Sequence, residues 1–167
     1  MTSRSDWRHD NIGRLLFDST RRFQERALAI VNQHGYPEMR IAHMATTRHI
    51  DLTGTRIADL AVRAGVTKQS MGEMVDHLET MGFVKRSADH SDKRAKIVTF
   101  TASGRKLLDT IRKAVVACER DLAKRIGDRE LGELRSALID YCRPADDAAV
   151  VRASRATQIA KAPGRKR

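Results

Sequence analysis

The sequence predicts a mainly α-helical protein with a small β-wing: a winged helix-turn-helix flanked by N- and C-terminal helices. Two short segments of helical periodicity meet at Gly65, two β-rich runs follow them, and long amphipathic segments lie on both sides. We therefore expect a flexible N-terminus (residues 1–9), one domain (10–142, with the winged unit at about 52–101) and a basic, mobile C-terminal tail (143–167).

The first predicted helix runs from about Asp10 to His34 and is ended by the turn that contains Gly35 and Pro37. Its apolar stripe consists of Ile12, Leu15, Leu16, Phe23, Ala27, Ile30 and Val31. A short helix from about Glu38 to Arg48 follows, and its predicted inward residues are Ile41, Met44 and Ala45.

The next predicted helix, Thr55–Ala64, begins at a threonine that we interpret as its N-cap and ends at Gly65. Helical spacing predicts that Ile57, Leu60 and Ala61 are buried. Val66 is expected to fill the turn that follows. A tight turn between two short helices is typical of a helix-turn-helix.

The second helix of this pair is predicted to begin at Thr67, another capping residue. Its apolar positions are Met71, Met74, Val75 and Leu78, and its opposite face is polar. Amide, hydroxyl and cationic groups in the first turn suit base edges and phosphates. The candidate DNA contacts on this helix are Thr67, Lys68, Gln69, Ser70, Glu73 and His77, although solvated surface is an equal alternative for the last two.

Two β-rich runs, Phe83–Arg86 and Ala95–Phe100, are separated by a polar turn and predict a hairpin wing. An arginine at the end of such a hairpin can enter a narrow minor groove, where negative potential is concentrated. The alternative is an exposed ion pair worth roughly 0–1 kcal/mol. The candidate contacts on the wing are Arg86, Asp92, Lys93, Arg94 and Lys96, with Asp92 limiting the rotamers of Arg94.

Two further helices are predicted, Ala102–Ile126 and about Arg129–Tyr141, and Gly104 and Gly127 are interpreted as helix punctuation. Segments 10–34 and 102–142 carry apolar stripes longer than a small winged unit needs. We therefore expect these helices to form a homodimer interface. The alternative is a helical hairpin that folds back on its own winged unit.

The formal net charge of +11 fits a polyanionic partner, since 32 lysines and arginines outnumber 21 acids. The last sixteen residues contribute +6 with no acid, so the tail is expected to contact phosphates or to remain solvated. No apolar run approaches the roughly 20 residues of a membrane span, and the N-terminus has no apolar core of a signal peptide. These features predict a cytoplasmic protein without a membrane partner.

Several motifs in register resemble the MarR family of bacterial transcriptional regulators. They are Ile57–Ala61, Val66–Ser70, Val75–Arg86, Asp92–Arg94 and Val98–Gly104. The resemblance implies a dimeric winged-helix DNA-binding protein. It also implies that Asp92 and Arg94 match an Asp-x-Arg pattern in which the acid orients the arginine that enters the minor groove.

The same resemblance implies a crevice for a small aromatic or phenolic anion. The candidate lining is Phe17, Arg21, His43 and Met44. Arg21 or His43 would pair with a carboxylate in a mostly apolar pocket. Alternatively, His43 is a satisfied core histidine and Arg21 is a surface residue.

No catalytic constellation, cofactor motif or metal-ligand spacing is present, so we expect neither an enzyme nor a resident cofactor or metal. Cys118 and Cys142 are placed on apolar helix faces and are expected to be reduced thiols. The predicted function is a sequence-specific transcriptional regulator, a repressor of a palindromic operator that a small ligand releases. The alternatives are a sequence-independent basic DNA-coating protein, a redox- or metal-responsive regulator, and a protein-interaction module.

Overall fold

The computed structural model describes residues 7–8, 11–88 and 96–143, which contain six helices and three strands. The helices are α1 (Ile12–Gln33), α2 (Ile41–His49), α3 (Ile57–Ala64), α4 (Lys68–Thr80), α5 (Ala102–Ile126) and α6 (Asp128–Cys142). The strands are β1 (Thr55–Arg56), β2 (Val84–Ala88) and β3 (Lys96–Phe100). The predicted fold class, mainly α with a small β-wing, is confirmed. The chain divides into two compact units, residues 1–120 and 121–167.

The sheet in the first unit is antiparallel, in the order β1-β3-β2. Thr55 lies opposite Val98 in this sheet, so the prediction that Thr55 caps a helix is wrong. The Thr55 hydroxyl accepts the backbone N–H of Asp51 at 2.8 Å, and α3 begins two residues later, at Ile57. Pairing with a strand about forty residues away decides the conformation of Thr55, and no local signal reports it.

The winged region has its own apolar core, which is formed mainly by α3, α4, β2 and β3. Its buried residues are Ile50, Leu60, Ala61, Met71, Val75, Leu78, Val84, Val98 and Phe100. Ile57 and Met74 are only half-buried. The expectation that Val66 fills the turn is wrong, because this residue is 45% exposed. The turn is closed instead by Gly65 in the left-handed region (φ 65°) and by the Val66 N–H, which donates to the Ala61 carbonyl.

A second core joins α1 and α5 and contains Ala27, Val31, Met39, Leu107, Ala114 and Cys118. Helix α2 begins at Ile41 rather than Glu38, and its predicted inward residues are only half-buried. Its buried residues are His43, Thr46 and Thr47. The two threonine hydroxyls donate to the carbonyls of Ala42 and Met44, so they can be buried without losing a hydrogen bond.

Helix α5 begins beside the end of α4, and hydrogen bonds of Thr101 connect the two segments. Its hydroxyl accepts the Gly104 N–H at 3.0 Å and donates to the Gly82 carbonyl at 2.6 Å, while its own N–H donates to the Phe83 carbonyl. Gly104 is therefore not helix punctuation. It is buried inside α5, and a Cβ at this position would collide with the Phe83 carbonyl oxygen.

In the second unit, α6 follows Gly127 and carries Asp128 and Glu130 in its first turn, where negative charge is favourable. None of the residues of α6 is buried. Leu131 and Leu138 are half-buried, and Cys142 is an exposed free cysteine.

Candidate nucleic-acid interface

The N-terminus of α4 is fixed by Thr67, as the sequence predicts. The Thr67 hydroxyl accepts the Ser70 N–H at 3.1 Å and donates to the Ser70 Oγ at 3.0 Å. This cap determines where the helix begins and which side chains stand in its first turn. The free backbone N–H groups and the positive end of the helix dipole favour an anion at this point.

The outer face of α4 is exposed along its length, opposite the buried Met71, Val75 and Leu78. The structure brings together on this face the predicted contacts Lys68, Gln69, Ser70, Glu73 and His77. The Gln69 amide donates to the Glu73 carboxylate at 3.4 Å, a long bond that a base edge could replace. The face thus combines a cation, an amide and a hydroxyl within one turn.

Arg86, a predicted DNA contact, is paired with acidic residues of α4. Its side chain is only 18% exposed, and its guanidinium pairs with Asp76 and Glu79 and donates to the Gly72 carbonyl at 3.1 Å. All three acceptors belong to α4. The sequence indicates that Arg86 lies on the wing, but it does not indicate the partners of Arg86, which belong to another element.

The wing is described as far as the pair Ala88 and Lys96, which face each other across β2 and β3. Strand β2 therefore continues through Ser87 and Ala88, which the sequence places in the turn. Lys96 is exposed at the start of β3. Asp92, Lys93 and Arg94 lie outside the described residues.

The predicted ligand residues lie in different surroundings, and Met44 packs against the core that joins α1 and α5. Phe17 is exposed on α1, and Arg21 pairs with Asp18 and Glu25 on the same helix. His43 lines a depression of about 500 Å³ together with residues of the α1–α2 turn and of α4. The other residues that line it are Pro37, Glu38, Met39, Arg40, His77, Thr80 and Met81.

His43 is buried, and its ring meets that of His77 edge to face, with ring centroids 5.9 Å apart. Burial lowers the pKa of His43 below its usual value, and the nearby charges of His77 and Arg40 lower it further. Near neutral pH His43 is therefore an uncharged residue of α2 that packs against His77 of α4.

Among the described residues, no group of three or more histidines, cysteines or acids has a geometry that could hold a metal ion. His34 is engaged locally, since its Nδ1 donates to the Ile30 carbonyl at 2.7 Å. No helix within the described ranges is both long and apolar enough to span a bilayer.

Two short helices joined by a tight turn, the second of them capped by Thr67, and the paired strands β2 and β3 define the winged helix-turn-helix class. Residues 50–96 match the model of the MarR family. The predicted resemblance to the MarR family is thereby confirmed for this segment. The transcriptional regulator HosA of Escherichia coli O157:H7 is 36% identical over 77 residues, which are 46% of this chain and 57% of the length of that relative.

Solved structures extend the similarity beyond the winged region. A MarR-family transcriptional regulator from Rhodococcus sp. RHA1 is 25% identical, with a TM-score of 0.64 over 86% of this chain and 99% of that chain. CouR from Rhodococcus jostii RHA1, solved with bound p-coumaroyl-CoA, is 27% identical, with a TM-score of 0.61 over 84% of this chain and 98% of that chain. The flanking helices thus share the fold of these regulators.

Proposed function

We propose that this protein is a sequence-specific DNA-binding transcriptional regulator of the cytoplasm rather than an enzyme. The observation that carries the proposal is the exposed outer face of α4, whose first turn presents Lys68, Gln69 and Ser70 from a capped helix end. Such a helix fits the major groove, with its N-terminal residues at base edges. The net charge of +11 supplies phosphate attraction, and the wing carries Lys96 and, by prediction, Arg94 to the flanking DNA.

The proposed active form is a homodimer. Helix α1 exposes Ile12, Leu15 and Phe17, and α6 separately exposes Leu134, Ile139 and Tyr141. Apolar surface of this kind is stabilised by a partner, and a second copy would supply matching helices. Two-fold symmetry would place two copies of α4 about 34 Å apart, so the operator is proposed to be an imperfect palindrome.

We further propose repression that a small organic ligand relieves. The ligand complex of CouR supports this class of control, and Phe17, Arg21, His43 and Met44 remain the proposed lining in the dimer. A ligand that prefers a dimer with wrongly spaced recognition helices reduces DNA binding by the ratio of its affinities for the two states.

The decisive experiment is a binding titration on the promoter DNA beside the protein's own gene. A scrambled duplex of equal length at the same salt is the control, and sedimentation confirms the dimer. We expect the promoter to bind roughly 10³-fold more tightly. Equal affinity for both duplexes would contradict the proposal.

Equal binding would favour a sequence-independent DNA-coating protein, which the high positive charge also suits. Removal of residues 152–167 tests the share of the tail in either function. Each lost phosphate contact should reduce the salt slope by about 0.9. An unchanged slope would remove the tail from the interface.

The wing is tested by Arg94→Ala, which should weaken operator binding by about tenfold while the dimer stays intact. The loss should be largest for A·T-rich flanks, where the minor groove is narrow. If the operator titration is unchanged, Arg94 makes no contact with the groove.

A further inference from the structure

The side chain of Arg86 crosses from the wing strand β2 to the recognition helix α4. Its guanidinium contacts Asp76, Glu79 (3.1 Å) and the Gly72 carbonyl (3.1 Å), and these acceptors span two turns of the helix. The Glu79 carboxylate makes a second bond, since it accepts the Arg86 backbone N–H at 2.9 Å. One residue of the wing is thus bonded at both its main chain and its side chain to the face of a single helix.

We propose that Arg86 is a positioning residue that locks the recognition helix to the wing, and that the specificity of DNA binding depends on this lock. The proposal rests on the proposed DNA-binding function and replaces the predicted role of Arg86 as a DNA contact. The group formed by Arg86, Asp76, Glu79 and the Gly72 carbonyl is called the α4–wing lock below.

The charge of the lock disfavours a phosphate-binding role for Arg86. Two carboxylates surround one guanidinium, so the local charge is negative and a phosphate would be repelled. The guanidinium is also largely withdrawn from water, at 18% exposure, and its planar fork matches several acceptors at once. Lysine, with a single ammonium group, cannot reproduce this set of bonds.

The lock can fix the orientation of α4 because β2, which carries Arg86, is itself paired with β3. Arg86 pairs with Val98 in the sheet, and Val98 is fully buried in the core of the winged region. The lock therefore connects α4 to a rigid strand rather than to a mobile loop. Rotation of α4 relative to the wing would move Gln69 and the hairpin out of register with each other on DNA.

The test compares Arg86→Met with the wild type on operator and scrambled duplexes over a range of salt. A positioning role predicts that the operator-to-scrambled affinity ratio falls at least about tenfold, because the contacts of α4 and the wing are no longer aligned. The salt slope on scrambled DNA should not change. Arg112→Met is the matched control, since it removes an exposed guanidinium that is paired with Asp109 on α5.

A second variant, Glu79→Gln, keeps the shape of the lock and removes one charge. The positioning role predicts a lower affinity ratio for this variant too. If Arg86 instead contacted DNA, loss of the competing carboxylate would strengthen binding to both duplexes and steepen the salt slope. The two roles therefore predict different results: a lower affinity ratio for a positioning role, and tighter binding to both duplexes for a direct DNA contact. Glu79→Gln also decides the question if Arg86→Met does not fold, as judged by its circular dichroism and thermal midpoint.

Three results would overturn the proposal. A salt slope that drops by about 0.9 in Arg86→Met with the ratio preserved would make Arg86 a phosphate contact. Unchanged ratios in both variants would make the lock irrelevant to recognition. If the wild type shows no preference for the operator, the proposed function itself is overturned. Titrations of the wild type alone reveal this outcome, so it is distinguishable from a failure of the lock proposal. Arg86→Lys keeps one positive charge but lacks the planar guanidinium. This variant is expected to recover part of the operator-to-scrambled affinity ratio that Arg86→Met loses.

Discussion

The winged region and helix α6 obtain their stability from different sources. In the winged region, Leu60, Val75, Leu78 and Val98 are fully buried by residues of the same chain. Helix α6 also carries an apolar stripe, yet none of its residues is buried in the single chain. Folding of the winged region is therefore intrinsic, whereas α6 is expected to depend on association. Substitutions in the two regions should consequently affect different measurements.

The largest effect is expected from Leu78→Ala, because it leaves a cavity in the core of the winged region. Truncation of a fully buried leucine to alanine typically lowers the free energy of unfolding of a protein by about 2–5 kcal/mol. Urea denaturation measures this loss. The matched variant Leu134→Ala, at the exposed stripe of α6, should cost less than about 1 kcal/mol at protein concentrations where dimers dissociate. Equal losses would show that α6 packs within its own chain.

The second largest effect compares two helical glycines. Gly104→Ala places a Cβ against the Phe83 carbonyl, so α5 must shift away from the end of α4. We expect a loss of about 1–3 kcal/mol. Gly132 lies in α6 with no atom within 4 Å of an added Cβ, so Gly132→Ala should stabilise the protein by about 0.5–1 kcal/mol. Thermal unfolding should therefore move in opposite directions, and a shared sign would contradict the packing described for Gly104.

The contrast between local and non-local signals also explains how far the sequence could be interpreted. The bounds of α5 and the cap of α4 at Thr67 were predictable, because capping groups and helical periodicity act over a few residues. Thr55 was misassigned because its partner, Val98, lies far along the chain. The same limit applies to Gly104, whose constraint is the carbonyl of Phe83.

The candidate site divides in the same way. The exposed residues of the first turn of α4 follow from periodicity, since a buried face at Met71, Val75 and Leu78 determines the opposite one. The role of Arg86 could not be predicted, because its acceptors come from another element and a basic residue at a wing suggests phosphate. The spacing of Asp76 and Glu79, one helical turn apart, was the available signal for their shared partner.

A smaller effect is expected when the stripe of α6 is made polar. Leu134→Asp places a charge at the proposed subunit interface and should weaken dimerisation by at least about tenfold. Sedimentation equilibrium measures the change, and operator affinity should fall with it. Ser136→Asp adds the same charge at an exposed polar position of the helix and should leave the dimer intact. If both variants dimerise like the wild type, α6 does not form the interface.

The smallest effect concerns the pH dependence that His43 imparts to the winged region. Burial, and to a smaller extent His77 and Arg40, lower the pKa of His43 in the folded protein. At a pH between the pKa of His43 in the folded protein and its pKa in the unfolded chain, the unfolded chain therefore binds more protons. The contribution of neutral His43 is complete above the unfolded pKa of about 6.5 and is lost as the pH falls below it. Denaturant titrations at pH 7.5, 6.5 and 5.5 should therefore show a steeper decline in the wild type than in His43→Gln. In His77→Gln the decline should be intermediate, because one of the causes of the pKa shift is removed. Identical slopes in the wild type and His43→Gln would mean that His43 takes up its proton as readily in the folded protein as in the unfolded chain, and the contact between α2 and α4 would then be open to water.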